Sequence, residues 1–142
     1  MTTPKALVLD ANILLRAVFG VKVRTILEAH EDLVAFYSPD VCFEDARKYI
    51  PKIAAHRNFD ATIGLAILDQ ISRIVAVVDR SLYEEFEPQA RARIASRDLE
   101  DWPIVATALL LSAPIWTEDQ DFFGAGIATW TSDRIEVFLR DS

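Results

Sequence analysis

At 142 residues the chain has the length of one domain, 1–142, and can bury about two thirds of its unfolded surface without covalent staples. Its composition, 51% hydrophobic and 26% charged, excludes a disordered chain, and apolar runs such as IVATALLL are far shorter than the ~18–20 residues of a membrane span. The start, MTTPKALVLD, lacks the marks of a signal peptide, and the lone Cys42 cannot form an internal disulfide, so the expectation is a cytoplasmic protein with no membrane partner. A net charge of −7 argues against a broad phosphate-binding face, unless the acids are gathered somewhere to hold cations.

KALVLD (5–10) is a short Val/Leu-rich run ending in an acid and predicts a buried strand. ANILLRAVFG follows as a helix that Gly20 stops, and VKVRTILEAHE as a second helix. LVAFY (33–37) predicts the next strand. SPD then predicts a helix start, with Ser38 as N-cap and Pro39 in the first helical position. That helix carries Cys42, Phe43, Glu44, Arg47, Lys48 and Tyr49 until Pro51 interrupts it. Asp60 caps ATIGLAILDQISRI, whose apolar residues recur at helical spacing. RIVAVVD (73–79) predicts a third strand and PQARARIA a short exposed helix. Asp98 caps a helix running through Leu111, SAP ends it, and PIWT (114–117) predicts a fourth strand. IATW (127–130) predicts a fifth, and Ser132 caps a closing helix, DRIEVFLR. Strands alternating with helices predict an α/β domain with a mainly parallel sheet of about four to five strands.

The apolar core of LEDWPIVATALLLSAPIWTEDQDF (99–122) has acids at both tips, and the architecture explains why. In a parallel α/β sheet every strand runs toward one edge, where each crossover helix begins. Asp10 ends the first strand, Glu44 lies early in the helix after the second, Asp101 opens the helix before the fourth, and Asp119 follows that strand. All four carboxylates are sent to the edge where such folds bind ligands. Two carboxylates ~4–6 Å apart repel by roughly 3–4 kcal/mol at an effective dielectric near 20. Four together call for protonation or a cation. An all-oxygen set suits Mg²⁺ or Mn²⁺, whereas zinc prefers His and Cys; His30 and His56 have no companion at ligand spacing. The chemistry that follows is metal-assisted hydrolysis of a phosphodiester.

LVLDANILL, the acid in CFEDARKY, LEDWPIVATAL and WTEDQDF resemble, in order and along nearly the whole chain, the successive motifs of PIN-domain nucleases. The similarity is greatest to small stand-alone ribonuclease toxins of the VapC type. It implies a three-layer α/β/α fold, divalent-metal-dependent cleavage of RNA, and a homodimer. It also implies an antitoxin partner, and it assigns Asp10, Glu44, Asp101 and Asp119 to the acidic positions. Asn12 and Thr117 match polar positions that support the metal site, and Asp98 is a further acid that some branches of the family use.

Other readings of the same residues stand beside these. Asp98 fits a plain N-cap, Glu44 a solvated helix residue, and Asp121 a loop acid. Cys42 fits a small buried hydrophobe, and Trp102, Trp116 and Trp130 fit core positions. Arg47 and Lys48, one turn from Glu44, offer phosphate contacts or simply an exposed helix face; Arg91, Arg93 and Arg97 form a looser basic cluster. The rival functions are a catalytically inactive PIN-like module that binds RNA or protein, and a receiver-like signalling domain. The latter needs a paired acid after the first strand and a lysine near the last, and neither is evident.

Overall fold

The computed structural model describes residues 4–94, 98–122 and 124–140. Its strands β1 (Lys5–Leu9), β2 (Val34–Pro39), β3 (Val75–Val78), β4 (Ile115–Trp116) and β5 (Thr129–Trp130) form one parallel sheet in the order β3-β2-β1-β4-β5. β1 lies at the centre, pairing Val8 with Tyr37 on one side and with Ile115 on the other. Leu7, Val8 and Leu9 are wholly buried, the continuous apolar run expected of a parallel strand covered on both faces.

Helices supply the covers. On one side α1 (Ala11–Phe19), α3 (Asp40–His56) and α4 (Ala61–Ile71) pack on one another, with α2 (Lys22–His30) against α1. The α3–α4 contact is close: a Cβ added at Gly64 would meet Ile50 Cγ2 at 2.9 Å, so glycine sets the approach of the two helices. α7 (Trp102–Leu111) packs against β1 and β2, flanked by α5 (Arg80–Tyr83) and α6 (Glu87–Arg93). α8 (Ile135–Arg140) closes the described chain. The result is the three-layer α/β/α arrangement. Every residue of α7 from Trp102 to Ala108 is buried, which is why this helix is apolar on all sides. Among the described residues no helix is long and apolar enough to cross a membrane.

Three local expectations give way to tertiary structure. Ser38 does not cap α3: it lies inside β2, paired with Val77, and its hydroxyl donates to the Leu9 carbonyl at 2.7 Å. Pairing with β3 extends the strand to Pro39, which takes the cap position itself, so the helix begins at Asp40. Pro51 does not interrupt α3, which runs on to His56. A proline costs about 3 kcal/mol in a helix interior, but the buried Ile50 and Ala54 on either side of it hold the helix against its neighbours. Ser132 does not cap the closing helix, which starts at Ile135. Instead its hydroxyl accepts from the Trp116 indole at 3.0 Å, and its N–H donates to Glu118 at 2.6 Å.

The strand order has one consequence for function. From β1 the chain proceeds to β2 and β3 on one side, then returns to place β4 and β5 on the other. The order reverses between β1 and β4, which opens a crevice beyond their carboxyl ends.

Candidate active site

Asp10 occupies this switch point. Directly after β1 it turns extended (φ −85°, ψ 174°) and caps α1, accepting the Ile13 N–H at 2.9 Å. Its other oxygen accepts a short hydrogen bond from the Thr117 hydroxyl, and Thr117 is itself fully buried after β4. The Asp119 N–H donates to the Thr117 oxygen at 2.9 Å. Thr117 therefore links the two strand ends, fixing the Asp10 carboxylate and the backbone that carries Asp119. Only 5% of Asp10 is exposed. Burial is the largest cause raising its pKa to about 6; Asp119 and Glu118 add to the rise, and the Thr117 and Ile13 bonds oppose it.

Around Asp10 lies a cavity of about 390 Å³ whose lining includes six acids: Asp10, Asp45, Glu100, Asp101, Glu118 and Asp119. They come from the ends of β1 and β4, from α3, and from the turn before α7. Asn12 and Cys42 also line it. Cys42 is buried, and burial pushes its thiol well above the usual range, so it remains protonated.

The structure thus brings together Asp10, Asp101 and Asp119 with Asn12, and puts Thr117 behind Asp10. Glu44 is exposed on α3 and does not line the cavity, whereas its neighbour Asp45 does. Helical geometry accounts for the difference: Asp45 stands three residues after Cys42, on the same face, and Glu44 is turned away by one residue. Asp98 caps the turn Leu99–Asp101 through the Glu100 N–H at 3.0 Å and is not in the lining. Asp101 leads into α7 without capping it by its side chain. Arg47 and Lys48 are exposed and absent from the lining, and Arg47 pairs with Asp69 on α4 at 3.7 Å. Arg91 pairs with Glu87 at 2.7 Å and Arg93 donates to the Ala125 carbonyl at 2.9 Å, so neither is drawn to the cavity; Arg97 and the Asp121 side chain lie outside the described residues.

Glu118, Glu100 and Asp45 are lining acids that sequence reasoning did not single out. Each adjoins an acid that it did: Glu100 and Glu118 line the cavity together with Asp101 and Asp119, whereas side-chain direction brings in Asp45 and leaves Glu44 out. Oxygen donors from several segments around one cavity suit Mg²⁺ or Mn²⁺. Among the described residues no three of His, Cys, Asp and Glu converge tightly enough to form a metal-ligand cluster, so the acids ring the cavity without closing on one point.

Fold and site together define a parallel α/β protein with an acid-lined cavity at the switch point of its sheet. The model of the PIN domain family matches residues 8–140, and the chain belongs to that family. PIN domains are generally nucleases. Among solved structures it is similar to VapBC2 from Rickettsia felis bound to a promoter DNA fragment, with a TM-score of 0.70 and 12% identity over 89% of this chain and 98% of that one. PAE2754 from Pyrobaculum aerophilum gives a TM-score of 0.71 and 16% identity over 98% and 91% of the two chains. A toxin–antitoxin complex from Klebsiella pneumoniae gives 0.58 and 19% over 88% and 96%. At these identities the likeness is one of fold. No curated protein matches the chain significantly by sequence. Family membership sets aside the receiver-like alternative.

Proposed function

We propose that the protein is a divalent-metal-dependent endoribonuclease of one domain, acting in the cytoplasm as the toxin of a toxin–antitoxin pair. The observation that carries this reading is the cavity at the β1/β4 switch point, lined by acids from four separate segments in a chain of the PIN family. Asp10, Asp45, Asp101 and Asp119 would hold Mg²⁺ or Mn²⁺, with Glu118 and Glu100 beside them and Glu44 outside. Such a cation supplies charge neutralisation at a phosphodiester and activates water for its hydrolysis.

The protein's own groups prepare the cavity for this. Thr117 and the Ile13 N–H hold Asp10 in one orientation while burial keeps it from ionising freely. A proton and a cation therefore compete for the same carboxylate, and activity should rise as pH passes about 6. Asn12 offers an uncharged amide in the cavity lining. The antitoxin reading is supported by the similar structure from Klebsiella pneumoniae, whose name describes a toxin–antitoxin complex. A homodimer is supported by exposed Tyr49, Ile63 and Val77 on α3, α4 and the edge strand β3, and sedimentation would detect it.

The test is cleavage of labelled single-stranded RNA by purified protein with Mg²⁺, with Mn²⁺ and with EDTA, alongside Asp119→Asn. Cleavage that needs metal and is lost in the variant is expected. Cleavage that persists in EDTA, or in neither metal by wild type, refutes the reading.

A further inference from the structure

A second concavity, of about 930 Å³, adjoins the acidic cavity, and Asn12 and Glu118 line both. Its character is different. Arg16 and Phe19 of α1, Lys22 at the start of α2, and Arg57 just after α3 converge on it. Among the described residues neither Arg16 nor Arg57 has an ion-pair partner. The Arg57 guanidinium lies over the Phe19 ring, 5.4 Å from its centroid. The acids on this side are two: Glu118, engaged by the Ser132 N–H, and Asp133, bonded by the Thr131 hydroxyl and near Lys22.

A chain of net charge −7 repels a polyanion at long range, so a strand that is to reach the acidic cavity needs local cations along its path. Here three cations line the groove that shares Asn12 and Glu118 with that cavity. An arginine stacked on an aromatic ring is also a platform for an unpaired base. A stiff duplex cannot bend from this groove into a cavity of about 390 Å³, whereas a single strand can.

We propose that this groove is the track of the substrate strand: Arg16, Lys22 and Arg57 hold phosphates of single-stranded RNA on one side of the bond to be cut, and the Arg57–Phe19 pair supports a base. The inference rests on the nuclease reading for its chemistry, but its test does not depend on cleavage.

Fluorescence anisotropy of a labelled single-stranded RNA, titrated in EDTA over a range of salt concentrations, measures binding by wild type, Arg57→Ala, Arg57→Lys and the pair Arg16→Ala/Lys22→Ala. Arg73→Ala is the control, an exposed cation just before β3 at the opposite edge of the sheet. Each cation removed from a phosphate should weaken binding severalfold and flatten the slope of log K against log salt by about 0.7. Arg57→Lys should keep the slope yet bind more weakly, because an ammonium does not stack. Circular dichroism should show all variants folded, since every changed residue is exposed. Groove variants that bind with wild-type affinity and slope overturn the proposal, as does an equal loss in Arg73→Ala. Equally tight binding of the matching duplex overturns the single-strand track, and a poly-glutamate peptide held by these cations in place of RNA overturns it in favour of a protein partner. RNA bound through the groove but never cut with either metal leaves the track standing and ends the nuclease reading. Metal-dependent cutting at wild-type rates by the groove variants does the reverse.

Discussion

Replacing Asp10 by asparagine tests the electrostatic character of the acidic cavity. In metal-free protein the Asp10 carboxyl rises from 3.8 to about 6, chiefly through burial, while in the unfolded chain it titrates near its ordinary value. Between those two values the native state keeps a proton that the unfolded chain has released, so stability falls as pH rises. The contribution is complete below about 3.8 and lost above about 6. At 1.36 kcal/mol per pH unit, the loss is about 3 kcal/mol. Asparagine cannot ionise, and it still accepts from the Ile13 N–H as an N-cap. The weaker bond to Thr117 costs about 1 kcal/mol of the gain. Asp10→Asn should therefore be more stable than wild type by about 2 kcal/mol above pH 6, or roughly 6 °C in Tm. Urea unfolding in EDTA at about pH 7.5 and about pH 4.5 measures this. The advantage should shrink to nothing or change sign at the lower pH. Adding Mn²⁺ should reverse the order at the higher pH, because about 100 Kd of a ligand that binds only native wild type stabilises it by ~2.7 kcal/mol. A variant less stable than wild type at the higher pH in EDTA would refute the reasoning and make Asp10 a purely structural cap.

Two further outcomes separate neighbouring residues. Asp45→Asn should reduce metal-dependent RNA cleavage at least tenfold while Glu44→Gln leaves it within about twofold; the opposite ranking in a cleavage assay would return the site to Glu44. Ser132→Ala removes the acceptor of the buried Trp116 indole and should cost about 1–3 kcal/mol, read as a fall in the urea midpoint with no change in m.

Much of this protein was legible without coordinates. The β1 run, the apolar α7 and the alternation of strands and helices identify a parallel α/β chain, because burial on both faces demands continuous hydrophobic segments. Asp10, Asp101 and Asp119 follow from the same logic, since strand ends and helix starts share one edge of such a sheet. Tertiary structure decided what short-range signals could not. Ser38 and Ser132 carry good cap chemistry, yet each is taken by a buried partner far along the chain, the Leu9 carbonyl and the Trp116 indole. Glu44 and Asp45 are equivalent on paper, and only the packing of Cys42 into the cavity wall selects the rotation of α3. Arg16, Lys22 and Arg57 are scattered along the sequence and converge only when α1, α2 and α3 are packed together. A one-residue turn of a helix, or the meeting of segments far apart in sequence, has no local trace in composition or period. The energy that fixes it is the packing of the whole core.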